Sequence, residues 1–241
     1  METFSAGRST ATRHDCAVVG GYTGASAHRA ARLYWRGKAW RARDTPPPAT
    51  APEESAIDII QAVFAPLYGK PCWQVQQGYS SFLTFEFGEP HLKINDPRPN
   101  PRAKTAARRR RAARRSVWVR GDWHLWLYMC DWTLYQGDRL GATTYSPNRR
   151  IGNALLDLDG QMLTGVSVSG DLRRSTFIFD LGGRIETVAD DEPGKPAEQW
   201  MLFEPSGYVL TVRSDGCYHH DRGNTAPDSL VWRRYTAEAG G

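Results

Sequence analysis

Cysteine is scarce in this chain and scattered. Cys16, Cys72, Cys130 and Cys217 stand far apart with no C-x-x-C pair, which gives neither a disulfide framework nor a cysteine-rich zinc module. Long hydrophobic runs are missing too. No stretch of about 18 apolar residues occurs, which argues against a membrane-spanning helix. The N-terminus offers only "CAVVGG" where a signal peptide needs a longer apolar core, so the expectation is a cytoplasmic protein without a membrane partner. Catalytic fingerprints are also lacking. No G-x-x-x-x-G-K, G-x-S-x-G, H-E-x-x-H or dinucleotide-binding glycine pattern is present, so the chain is expected to bind rather than catalyse, with no cofactor and no metal.

Acid is absent from one conspicuous place. "NPRAKTAARRRRAARRSVW", residues 100–118, holds eight Lys and Arg and no Asp or Glu. Net charge is +5 over 241 residues, but it is unevenly spread. Residues 1–52 carry a net +5, the run 102–115 adds eight cations, and the remainder carries a net −8. An acidic body thus bears two basic appendages, and the overall basicity is no evidence of a basic face on the fold itself.

What is present is mostly strand. Residues 1–52 are rich in Gly, Ala, Ser, Thr and Arg, lack periodicity and close on "TPPPATAP"; they are expected to be disordered. From Pro52, "PEESAIDIIQAVFAPLYGK" places Ile57, Ile60, Val63, Phe64 and Leu67 at helical spacing, with acids in the first turn and Gly69 as a stop. Beyond Gly69 the period becomes two. In "SSFLTFEFGEPHLKI", Leu83, Phe85 and Phe87 share one face, Thr84 and Glu86 the other. Similar strands, separated by Gly, Asp-Gly and Pro-Ser-Gly turns, continue to "SLVWRRY". The fold class expected is mainly β, with one N-terminal amphipathic helix.

The two halves resemble each other. Ser81, Phe85, Glu86, Phe87 and Gly88 match Ser175, Phe179, Asp180, Leu181 and Gly182 at an offset of 94. Leu67-Tyr-Gly-Lys matches Leu158-Asp-Gly-Gln, Trp123-x-Leu125 is set against Trp200-x-Leu202, and Leu134 against Leu210. The expectation is one domain over 53–241, a duplicated antiparallel unit forming a sandwich or a continuous sheet. Its first half covers 53–140 with an Arg-rich loop at 97–116, its second 155–235. On this alignment the loop corresponds to "ADDEPGKPAE" in the second half.

The segments "YSSFLTFEFGEPHLKI", "VRGDWHLWLYMCDW", "LDGQMLTGVSV", "STFIFDLGGRIET" and "EQWMLFEPSGYVLTVRSDG" resemble a family of β-rich bacterial proteins without an assigned activity. More loosely, they are similar to small β-rich immunity proteins of bacterial toxin systems. The resemblance implies an immunity-like interaction module and brings no catalytic residues.

Two surfaces compete for the binding role. "GDWHLWLYMCDW" reads as one strand whose Trp126, Tyr128 and Trp132 face the same way, an aromatic set suited to an unidentified protein partner. The alternative is nucleic acid: Arg108, Arg109, Arg110, Arg111, Arg114 and Arg115 would each neutralise a phosphate, in a segment able to turn helical when bound. The plain counter-reading of that run is a solvated charge block docked on the acidic body. Two weaker patterns remain. Cys217 and His219 would share a strand face as metal ligands, and His124 and Cys130 would complete a zinc shell only if the halves bring them together. Glu86 and Asp180, as equivalent acids, would form a catalytic pair only if brought together, and both read as solvent-facing strand-end acids.

Overall fold

The computed structural model describes residues 56–190 and 196–235. The expected disorder of 1–52 and the acidic first helical turn lie outside these residues. Among them the chain is mainly β, with antiparallel pairing throughout and three α-helices. None of these helices is long and apolar enough to cross a membrane.

Helix α1 (Ala56–Phe64) continues as a 3-10 turn to Leu67, burying Ala56, Ile60, Phe64 and Leu67. The spacing of three and four residues keeps these four on one stripe. Gly69, at φ +79°, turns the chain out of the helix. Then follow β1 (Cys72–Gln77), β2 (Leu83–Phe87), β3 (His91–Asn95), α2 (Ala106–Ala112), β4 (Ser116–Arg120) and β5 (Trp123–Leu127). Next come β6 (Cys130–Gln136), β7 (Arg139–Thr143), α3 (Asn148–Leu158), β8 (Leu163–Val168), β9 (Arg174–Phe179) and β10 (Gly183–Ala189). The chain ends with β11 (Glu198–Phe203), β12 (Tyr208–Arg213), β13 (Cys217–Arg222) and β14 (Arg233–Arg234).

Among the described residues three sheets result. The first has the order β1-β2-β5-β11-β12-β13-β14, the second β7-β6-β10-β9-β8, and β3 with β4 forms a separate two-stranded ribbon. The large sheets share one core. Phe85 of the first stacks on Phe179 of the second with ring centroids 6.5 Å apart, and Trp200 meets Phe177 edge-on at 6.0 Å. Phe64 of α1 packs on both Phe177 and Trp200. Helix α3 adds Ile151, Ala154, Leu155 and Leu158 at the same helical spacing. It has no counterpart in the sequence reading, although that spacing and Pro147 before it are a helix signal.

A common element order runs through both halves. Helix α1 precedes the meander β1-β2-β5, and the chain then crosses to the other sheet for β6-β7. Helix α3 precedes the meander β8-β9-β10, and the chain crosses back for β11-β12. Where the two helix exits meet, Gly69 N–H donates to Leu163 O and Gly160 N–H to Cys72 O, at 2.8 and 2.7 Å. Cys72 N–H donates to Gln161 O and Leu163 N–H to Lys70 O, at 2.8 and 3.1 Å. Each bond maps onto its companion by a shift of 91 residues, as in a self-complementary two-fold contact.

Two sequence expectations need correction. The stretch 123–132 is not one strand: β5 belongs to the first sheet and β6 to the second. Between them Tyr128 and Met129 N–H still donate to Gln199 and Glu198 carbonyls, after which Cys130 pairs with Ala189. This change of sheet turns Trp132 inward. The alignment also slips downstream of Gly88. Strand β5, with Trp123-x-Leu125, ends a meander, whereas β11, with Trp200-x-Leu202, follows one, as does β6 with Trp132-x-Leu134. Both indoles reach a serine: Trp132 Nε1–H donates to Ser81 O at 2.6 Å, Trp200 Nε1–H to Ser175 Oγ at 2.9 Å. The Arg-rich segment therefore lies between β2 and β5. Strands β9 and β10 are joined by a tight turn at Leu181-Gly182, and the acidic segment falls between β10 and β11.

Candidate functional site

The excursion between β2 and β5 is a built arm with a root, a shaft and a tip. At the root Gly88 adopts φ +78°, and Glu89 N–H donates to Asp122 Oδ2 at 2.8 Å. Gly121 lies so close to β2 that an added Cβ would collide with the Phe87 carbonyl oxygen and sit 2.8 Å from its nitrogen. Glu86, only 3% exposed, closes the root from below. Its Oε1 accepts from Arg120 Nη1 at 2.5 Å and pairs with His124 Nδ1 at 2.9 Å, while Oε2 accepts from Gly121 N–H at 3.0 Å. Burial alone would raise the Glu86 pKa; the His124 hydrogen bond and charge, the Gly121 N–H and Arg120 outweigh it and hold the carboxyl below its usual 4.5. Glu86 is therefore a buried ion-pair anchor, which corrects its reading as a solvent-facing acid. Asp180 is exposed and accepts from Met162 N–H at 2.8 Å, a turn contact that leaves no paired-carboxylate site to argue for.

The shaft is the β3–β4 ribbon. Leu92 faces Val119 and Ile94 faces Val117, so directly opposed partners put all four on one side. That side is bare: exposures are 65% for Leu92, 58% for Ile94, 50% for Val117 and 42% for Val119. The other side pairs His91 with Arg120, Lys93 with Trp118 and Asn95 with Ser116.

The tip carries the arginines on and just beyond α2. Thr105 caps it, its side chain accepting from Arg108 N–H at 3.2 Å. Arg98 N–H donates to Ala112 O at 2.8 Å and Arg109 Nη1 to Ala103 O at 2.8 Å, folding the proline-rich approach against the helix. Basic Arg109, Arg110 and Arg111 occupy the last turn, where the helix dipole favours cations. Arg109, Arg110, Arg111, Arg114 and Arg115 are exposed and Arg108 is half-buried. Within the tip Arg115 pairs with Asp96, and at the root Arg120 pairs with Glu86. From His91 to Arg120 the arm holds eleven Lys and Arg against the single acid Asp96.

The aromatic surface is smaller than the sequence suggests. Trp132 is 2% exposed and belongs to the core, so it leaves the candidate set. Trp126 and Tyr128 stay together, half-buried, their rings 4.6 Å apart and Phe82 4.5 Å from Tyr128. Burial and the nearby Glu198 push the Tyr128 phenol up to about 12, so it remains a hydroxyl. Glu198 is itself raised, by burial, against the opposing pull of Arg213.

Cys217 and His219 are both buried, with His219 3.3 Å from Asp221 and edge-on to Trp232 at 4.5 Å. No group of three His, Cys, Asp or Glu side chains suited to a metal ion occurs among the described residues. Burial lowers the His219 pKa, favouring the neutral ring. An open cleft between β7 and α3 is lined by Arg139, Arg149, Arg150 and Asp157. Arg150 is engaged with the Gly141 and Leu140 carbonyls and Arg139 with Asp157.

The sequence locates the arm but not its shape, and it names Glu86 without showing the cluster that Glu86 forms with Arg120, Gly121 and His124 at the root. A buried charge 34 residues from its partner leaves no local signal in the sequence; only the crowded "RGD" after a strand hints at it. Comparison with known proteins adds no relative: no family model, no curated protein and no solved structure matches this chain.

Proposed function

We propose that this protein is a non-catalytic binding protein that grips a polyanion, nucleic acid foremost, through the arm. The observation that carries the reading is the mounting: a tip of exposed arginines held on a shaft whose root is fixed by the buried Glu86–Arg120–His124 cluster. A solvated charge block has no need of an anchored support. With six arginines on and beside α2, contacts are to phosphates and therefore indifferent to sequence. The halves are read as copies of one ancestral unit, an interpretation supported by the two hydrogen-bond pairs displaced by 91 residues. On that reading the arm is an addition to one copy, where the other keeps a tight turn.

The test uses the full chain and a fluorescein-labelled DNA duplex in anisotropy titrations. Six phosphate contacts predict a slope of log K against log salt of about −5. Binding should vanish when residues 92–119 are replaced by Asn-Gly between the facing pair His91 and Arg120. Salt-independent binding, or unchanged binding by the shortened protein, would sink the reading.

A second reading keeps a protein partner, in an immunity-like role, at Trp126 and Tyr128, and the half-buried aromatic cluster favours it. It expects capture of a partner that survives nuclease and is lost in Trp126→Ala/Tyr128→Ala with the arm intact.

A further inference from the structure

We infer that the apolar side of the shaft enters the minor groove of duplex DNA and bends it, while the arginine tip holds the flanking phosphates. This rests on the reading of the arm as a nucleic-acid grip and adds the class of nucleic acid and the mode of engagement. The four side chains concerned, Leu92, Ile94, Val117 and Val119, form two directly opposed pairs and are all exposed. An apolar patch held in water on a fixed support marks a contact surface.

Charge complementarity selects the occupant. Eleven cations against one acid on the same arm favour a densely anionic surface, and disfavour a second basic arm of another copy. The chemistry of the face then selects the groove. Leu, Ile and Val side chains have no donor or acceptor, so they cannot read the hydrogen-bonding pattern of the major groove. Aliphatic side chains in the minor groove instead act as wedges that partly unstack a base step and bend the helix. Single strands are disfavoured by the same face, because it offers no ring on which an unpaired base stacks. Trp118, the aromatic residue within the ribbon, lies on the opposite side and is half-buried. Specificity should follow deformability, with flexible pyrimidine–purine steps preferred over stiff A-tracts.

The experiment compares the full chain with a variant carrying Leu92→Thr, Ile94→Thr, Val117→Thr and Val119→Thr, a choice that keeps strand propensity. Both are titrated against one 25-base-pair duplex labelled at its ends for energy transfer, against its single strand, and against the equivalent RNA duplex. The parent should bend the DNA duplex by about 20–90° and prefer it to the single strand. The variant should bind about tenfold or more weakly, the effect of losing one buried branched side chain, without bending and with the salt slope unchanged. Circular dichroism and the melting midpoint should be unaltered, since all four residues are exposed. Equal bending by the variant, equal affinity for single strand, or a preference for RNA overturns the inference and leaves the phosphate grip standing. Failure of the parent to bind any nucleic acid removes both. A parent dimer in sedimentation that the variant dissociates would assign the face to a second copy, and also overturns it.

Discussion

Glu86 is 3% exposed, and its two oxygens meet Arg120, His124 and the Gly121 N–H. Its pKa is held below the usual 4.5, so its contribution to stability is complete above that pH and is lost as pH falls through the lower folded-state value. Glu86→Gln should therefore cost about 3 kcal/mol at pH 7, the low end for breaking a buried pair because Arg120 is a quarter exposed. In urea titrations the gap between parent and variant should narrow steadily below pH 4.5; a constant gap down to pH 3 would contradict the anchor. The residue was legible in the sequence only as an acid alternating with Phe85 and Phe87. Periodicity gives a side chain's face, but not what later chain arrives to cover that face. Trp132 shows the converse: its face was read from a strand that changes sheet at Tyr128-Met129, so every assignment beyond that point inverted.

At the scale of elements, periodicity served well where an element lies within one environment. Helix α1 and the alternating β2 carry their burial pattern locally, and the structure keeps Leu83, Phe85 and Phe87 together in the core. The arm was legible as a charge run but not as a ribbon: Leu92 and Ile94, like Val117 and Val119, stand at alternate positions, but neither side of β3–β4 is buried, so that short alternation marks no core face. Its independence has a measurable side. Strands β2 and β5 pair over all five residues, from Leu83 with Leu127 to Phe87 with Trp123, without help from the arm. The Asn-Gly replacement of 92–119 retains Arg120 and Gly121 for Glu86 and joins a facing pair with the loop length a tight hairpin uses. Its melting midpoint should stay within about 4 °C of the parent, equivalent to about 1 kcal/mol. A larger drop would mean that the shaft supports the body and is more than an appendage.

For the whole molecule the decisive feature is that neither large sheet belongs to one half. The first takes β1, β2 and β5 from the first half and β11 onward from the second; the second sheet takes β6 and β7 from the first and β8 to β10 from the second. Each half alone would leave strands without partners and its share of the Phe85–Phe179 and Phe64–Trp200 contacts open to water. Unfolding should accordingly be a single transition, with tryptophan fluorescence and far-ultraviolet dichroism coincident in urea. Two separated midpoints would show that the halves are stable independently.

The same sharing sets a timetable for synthesis. The centre of the first sheet joins β5 to β11, and roughly 70 residues of chain lie between Leu127 and Glu198. At about 5–20 residues per second, a ribosome needs about 4–14 s to supply them. Throughout that interval the outer edge of β5 has no partner, the condition under which strands of neighbouring nascent chains pair with one another. The segment that has emerged just ahead of β5 is the arm, and its eleven cations make two such waiting edges repel.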